Sequence, residues 1–369
     1  MLLRPYQIRT LQQMKKNAKA LCIAPTGSGK SIMIGKLVEM SGIKSLIIVT
    51  TTKLKQQMRD MIRDFDIPGV QILDNRKEIK TECMCYIATW QTLTSKCAKI
   101  PQGLQMIISD EAHHISDMTE YGKLINKINP EFHYAFTATA MRYDGIEDLI
   151  KLCDNNNVKI EYEELYNSGF LHRPVVSFIS THKYFNIEHY LNEWQKAKFS
   201  DTQKLGMLRK IIGSNKGRNL ELYHNISNRL GKHTLVLSYT IEQCQYLYKM
   251  FYRDNVDADI DVLLVHGRRS REVKDNFHSR VIKAEKSIIF ATQSFLGEGV
   301  DIPKLDTLHI TSPFGGGAKT IQFSGRILRP YKGKKDVRIF DYYDKMDGIG
   351  KHWLRARKAQ YKKLNARFV

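Results

Sequence analysis

Short unbroken apolar runs alternate along the chain with longer stretches in which apolar residues recur every three or four positions. In the first half the runs fall at 20–24, 45–50, 83–88, 104–109 and 133–137, with helix-like stretches such as 31–40 and 53–64 between them. In the second half they fall at 174–180, 233–239, 261–265, 286–291, 306–311 and 336–341. Continuous Val/Ile/Leu runs flanked by helices predict strands buried on both faces, hence parallel sheets clad in helices. The pattern runs through twice, which predicts an α/β chain of two domains, in keeping with its 369 residues. The polar break DNNN at 154–157 and Ser168-Gly169 ahead of a new run put the boundary near residue 165, giving domains 1–165 and 166–369. Residues 181–230 read as a helical insert without a motif. Residues 349–369 read as a basic terminal helix, with Leu354, Tyr361, Leu364 and Phe368 as its packed stripe.

The loops after two of the predicted strands carry chemistry. Residues 24–31 read APTGSGKS behind the run Leu21-Cys22-Ile23. A glycine-rich turn between a strand and a helix points successive backbone N–H groups at phosphate oxygens, and Thr26, Gly27, Ser28 and Gly29 form that cradle here. Lys30 is placed to reach the β- and γ-phosphates and Ser31 to ligate magnesium, so the turn predicts ATP with Mg2+. Residues 104–113 read LQMIISDEAH, a buried strand ending in two carboxylates. Asp110 is placed to hold the metal and Glu111 to polarise the attacking water. Ala24 stands where the strict pattern has glycine.

Charge and composition narrow the partners. Fifty-eight Lys and Arg against 38 Asp and Glu leave a net charge of +20, a surplus suited to a polyanion. Residues 351–369 hold seven basic side chains and no acidic one. No apolar run reaches the length of a membrane span and no signal-like segment follows Met1, so a cytoplasmic protein is expected. The six cysteines are scattered without zinc-knuckle spacing and read as reduced thiols.

The second half supplies the feature of a motor. Residues 322–329 read QFSGRILR, followed by Pro330. On a helix Gln322, Arg326 and Arg329 would share one face, offering an amide and two guanidinium groups to a γ-phosphate in a cleft between the domains. Upstream, 291–303 reads ATQSFLGEGVDIP: Gly297 and Gly299 permit close backbone approach, and Asp301 can accept from a ribose hydroxyl.

In order and spacing these segments resemble the superfamily-two helicases over nearly the whole chain. RPYQ at 4–7 looks like the adenine-recognition motif, which implies Gln7 on the base edge with Arg4 beside it. TTKLKQQ at 51–57 and ATWQTL at 88–93 resemble nucleic-acid motifs, bringing Gln91 into that set. DEAH at 110–113 and TAT at 137–139 resemble the hydrolysis and coupling motifs, which implies coupling through His113, Thr137 and Thr139. LSYT at 237–240 and the HGRRSRE stretch from His266 complete the set. The LRPYQ opening, the TATAMRYDG stretch and QxxGRxxR look most like phage branch-migration helicases of the UvsW type, translocases of the XPB type and restriction-enzyme motor subunits. Ala140 departs from the proline that many relatives carry after TAT. The resemblance implies two tandem RecA-like domains.

Hydroxyls, lysine and backbone N–H groups at strand ends hold a sugar-phosphate backbone without reading sequence. Thr51, Lys53, Thr89, Ser238, His266, Gly267, Arg268 and Thr292 are the candidates. Trp90, beside a buried strand, belongs either on a base or in the core. The expected partner is a single strand or branched duplex, with DNA favoured and RNA possible, acted on by a monomer. An ATP-gated annealing module or a motor subunit without unwinding activity stays open.

Overall fold

A computed structural model describes residues 2–74, 78–115, 119–138, 147–181, 201–254, 259–266, 271–293, 302–312, 318–344 and 349–369. The chain divides into two compact units, Met1–Leu165 and Tyr166–Val369. Thr139, Gly267, Arg268, Gly299, Asp301 and residues 182–200 lie outside the described residues.

The first unit opens with α1 (Pro5–Met14), then β1 (Lys19–Ile23), α2 (Lys30–Ser41), β2 (Ser45–Val49), α3 (Thr52–Ile62), β3 (Val70–Ile72), β4 (Cys85–Thr89) and α4 (Trp90–Thr94). It continues with β5 (Met106–Ser109), α5 (Glu120–Ile128), β6 (Phe132–Thr137), α6 (Glu147–Leu152), β7 (Asn157–Lys159) and α7 (Tyr162–Asn167), which ends in the second unit. The strands form one parallel sheet in the order β3-β4-β2-β5-β6-β1-β7. Strands β2, β4 and β5 are buried at every residue, because helices cover both faces of the apolar runs. Leu21, Ile48, Tyr86, Ile107, Tyr121 and Ala135 lie at the heart of its core.

The second unit comprises β8 (Pro174–Ser180), α8 (Asp201–Ser214), α9 (Lys216–Ser227), β9 (His233–Ser238), α10 (Ile241–Asp254), β10 (Asp261–Val265) and α11 (Arg271–Lys283). Then follow β11 (Ser287–Thr292), β12 (Thr307–Ile310), α12 (Ala318–Ile327), β13 (Val337–Tyr343), α13 (Ile349–Lys363) and β14 (Arg367–Phe368). Its sheet is also parallel, in the order β10-β11-β9-β12-β13-β8-β14. Counted from each unit's first strand, this is the same permutation as in the first unit.

Three expectations need correction. The terminal helix stops at Lys363, and Phe368 lies in β14, where its ring stacks on Phe178 with centroids 6.1 Å apart. The buried stripe of α13 runs through Trp353, Arg357, Gln360 and Tyr361, while Leu354 is only half-buried. Arg357 is inside because Asp341 on β13 is buried and needs a cation: its Nε lies 2.9 Å and 3.0 Å from the two carboxylate oxygens, and Tyr361 donates to the same group at 2.8 Å. Second, Arg329 is not on the helix. α12 ends at Ile327, and Pro330 disfavours a helical conformation at the residue before it. Third, the strands β3, β7 and β14 were not anticipated.

Candidate active site and nucleic-acid edge

In the first unit the chemistry-bearing residues gather at the carboxyl edge of the sheet. Read across the strands, Thr89 ends β4, Thr51 follows β2, Asp110 follows β5, Thr137 ends β6, and residues 24–29 follow β1. This edge is where parallel α/β sheets bind ligands.

The turn after β1 is anchored by the Ala24 N–H on the Thr137 carbonyl at 2.8 Å. Gly27 (φ 89°) and Gly29 (φ 79°) adopt left-handed backbone, and Gly29 opens α2 with no side-chain cap. The helix N-terminus is thus left to an anion. A Cβ on Gly29 would lie 2.5 Å from Gln7 Nε2. Gln7 packs on the turn, donating to the Ser28 carbonyl at 3.0 Å and accepting from the Arg4 N–H at 2.9 Å. Tyr6, which sequence reasoning passed over although it lies inside RPYQ, donates to the same carbonyl at 2.7 Å. Its ring and the Gln7 amide therefore set the turn's shape. Ser28 Oγ is buried with no protein partner, which fits a cradle whose polar groups serve a bound phosphate. Lys30 Nζ folds back to the Ala24 carbonyl at 3.4 Å.

Asp110 is held by its N–H on the Ile48 carbonyl at 2.9 Å and accepts from the Glu111 N–H at 3.0 Å. Burial pushes its carboxyl up to about 6, with Glu111 adding repulsion and the Lys30 ammonium opposing it. A divalent cation would relieve this unfavourable buried charge, so the donor set of Asp110 with Ser31 fits magnesium. Glu111 stands in left-handed backbone (φ 50°, ψ 46°), a conformation uncommon for a non-glycine residue and concentrated at functional sites. Its carboxylate lies 3.3 Å from His113 Nδ1, which lies 3.2 Å from Thr137 Oγ1. Glu111, His113 and Thr137 thus form a continuous polar path from β5 to β6.

The remaining candidates divide by exposure. Thr51 and Lys53 are exposed, and Thr51 caps α3 by accepting from the Leu54 N–H at 3.2 Å. Gln91 is exposed, with its amide 3.4 Å from the Thr50 carbonyl. Thr89 is buried and caps α4. Trp90 packs on the core, stacked on Tyr121 with centroids 6.3 Å apart. In the second unit Ser238, His266 and Thr292 are buried, and the Ser238 hydroxyl lies 2.9 Å from that of Thr311. Gln322 and Arg326 are half-buried, one turn apart on α12. All six cysteines are free thiols, five of them buried and Cys97 exposed. Among the described residues no helix is long and apolar enough to cross a membrane.

A parallel α/β unit carrying a phosphate turn and an acidic strand end, followed by a second unit of the same strand order, is the architecture of tandem RecA-like motors. Residues 1–142 match the model "Type III restriction enzyme, res subunit" and residues 217–331 match "Helicase conserved C-terminal domain". The chain is 26% identical to "Putative helicase 161L" of Invertebrate iridescent virus 6, over 95% of this chain and 77% of that protein. It is 23% identical to "DNA 3'-5' translocase XPB2" of Sulfurisphaera tokodaii, over 90% of this chain and 79% of the relative. Other curated relatives are longer, the chain spanning about half the length of one, 52%. The solved structure of the "ATP-dependent Type ISP restriction-modification enzyme LlaBIII bound to DNA" superposes with a TM-score of 0.64 at 17% identity, covering 92% of this chain and 27% of that one. The two matched domains are those of superfamily-two helicases, ATP-hydrolysing enzymes, and XPB-type and viral helicases are among the chain's relatives.

Proposed function

We propose that the protein is a DNA motor in which ATP hydrolysis in the first unit drives stepping along, or remodelling of, a DNA strand or branched duplex. The observation that carries this reading is the shared sheet edge of the first unit. The phosphate turn, Asp110 and the Glu111–His113–Thr137 path occupy one half of it, and Thr51 and Thr89 occupy the other. The DNA preference rests on relatives named as DNA translocases and helicases.

Lys30 and the backbone of residues 26–29 bind the triphosphate, and Glu111 takes a proton from the attacking water. Ser31 and Asp110 would hold magnesium, which would supply charge neutralisation at the phosphates. Arg326 and Arg329, with Gln322, stabilise the charge that develops on the γ-phosphate. The path through His113 to Thr137 reports the γ-phosphate to the β6 end. Thr51, Lys53 and Gln91 hold the sugar-phosphate backbone without reading bases.

The test is the ATPase rate with single-stranded, duplex and forked DNA and with RNA of equal length, at two salt concentrations. DNA is expected to stimulate turnover more than RNA, with stimulation falling steeply at higher salt. Stronger stimulation by RNA would move the protein to the RNA helicases. Stimulated turnover without strand displacement would leave a translocase or annealing motor.

A further inference from the structure

One half-buried cation of the second unit has no part in this scheme. Lys334 lies in the turn between α12 and β13, where its backbone N–H bonds the Tyr331 carbonyl at 3.0 Å. Its Nζ donates to three backbone carbonyls: Pro303 at 3.2 Å, Arg329 at 2.8 Å, and Ile327. An ammonium has three donors, so every one is used. Ile327 is the last residue of α12, where a helix leaves its carbonyls without internal partners, and Arg329 lies two residues beyond it. The Leu328 carbonyl between them is taken by the His172 N–H at 2.7 Å. Pro303 closes the glycine-rich stretch 297–303. One side chain therefore ties the arginine-bearing segment to the end of that stretch, two regions about 25 residues apart that no local hydrogen bond would join.

The charged groups facing Lys334 come from several elements. Asp306, ahead of β12, attracts it, and Arg329 repels it. His172 ahead of β8 and His233 on β9 also feel its charge, with Asp336 beside His172 and Lys304 and Lys232 near His233. Burial draws the amine down to about 7, with Asp306 opposing and Arg329 adding to the effect.

We propose that Lys334 is a positioning residue for ATP hydrolysis, its ammonium fixing the exit of α12 and with it the reach of Arg326 and Arg329. The inference rests on the reading of those arginines as γ-phosphate partners. A neutral amine keeps two donors and turns a lone pair toward a carbonyl, so one of the three carbonyls loses its partner. Turnover should therefore decline as pH rises through neutrality.

The experiment compares wild type, Lys334→Met, Lys334→Arg and Arg329→Ala in DNA-stimulated ATPase between pH 6 and 9. ATP-analogue affinity and thermal unfolding are measured on the same samples. Lys334→Met is expected to lower kcat about 10- to 100-fold, the scale of a small misplacement, with ATP affinity little changed. Lys334→Arg should recover most of the rate and lose the decline near neutral pH. A Lys334→Met rate within about twofold of wild type, beside an Arg329→Ala variant slowed by about 100-fold or more, overturns the inference alone. If neither variant is slowed, the arginine reading fails and takes this one with it. Should Lys334→Met not fold, identical pH profiles for wild type and Lys334→Arg overturn it.

Discussion

The two units share one strand order and part company at three positions on the carboxyl edge. In the first, the residue after β1 is Ala24, anchored to the Thr137 carbonyl. In the second, the residue after β8 is Thr181, anchored in the same way to the Tyr343 carbonyl at 2.9 Å. The residue after β5 is Asp110, bonded to the Ile48 carbonyl, and its counterpart after β12 is Thr311, bonded to the Leu237 carbonyl at 2.9 Å. What fills the space differs. The first unit places a glycine turn, a lysine and a strained buried carboxylate there. The second closes it with Arg218, fully buried, donating to Asp344 at 2.6 Å and 3.1 Å and to the Thr311 carbonyl at 2.8 Å, while Thr181 donates to Asp344 at 2.7 Å. Ser312, at the place of Glu111, gives its hydroxyl to Gln243 at 2.7 Å. One topology thus yields a ligand-ready edge or one closed by an internal ion pair, depending on whether the cation opposite the carboxylates is part of the fold or left to a ligand.

Substitutions that make either edge more like the other test this contrast. The largest effect is expected in the first unit, where Lys30→Ala or Glu111→Gln should lower ATP turnover by about 10²- to 10⁴-fold while DNA binding, followed by fluorescence anisotropy, is largely kept. Hydrolysis persisting in both would put the two edges on a par. Next comes Arg218→Ala, which leaves Asp344 and Thr311 without their partner and should cost about 3–5 kcal/mol in urea unfolding, as for a broken buried ion pair. A change below about 1 kcal/mol would mean that the second edge is not held by this pair.

The smallest effect concerns Asp110. Its carboxyl rises from the ordinary 3.8 to about 6 in the folded chain, so folding is favoured by its proton at acid pH and that advantage is lost as pH rises through about 6. At pH 7.5 the ionised group is therefore a burden on the nucleotide-free protein. Asp110→Asn should therefore stabilise that form while abolishing hydrolysis, with the gain shrinking toward pH 5. An Asn variant less stable than wild type at pH 7.5 removes the argument.

Much of this was legible in the chain. The long central strands showed as apolar runs because both of their faces are covered, and the phosphate turn and DEAH were legible because their groups are adjacent in sequence. The edge strands β3, β7 and β14, of two or three residues, carry too little periodicity to be seen. Arg218 and Asp344 stand 126 residues apart, and only the folded sheet brings them together. The packed stripe of α13 was read in part: Tyr361 and Leu364 are buried as expected, but Arg357, a cation made internal by Asp341, is left out by an apolar tally. Lys334 belongs to no motif, and its three carbonyl partners become apparent only once the chain has turned back on itself.

The place of β1 between β6 and β7 carries a consequence for biosynthesis. Residues 19–23 leave the ribosome early, yet their first neighbour, Phe132–Thr137, follows about 110 residues later. β8 likewise waits for β13 and β14. In each half the opening strand emerges with both flanks bare and is enclosed last, so slow translation just before residue 132 or residue 337 would prolong the interval in which an apolar ribbon is open to wrong pairing.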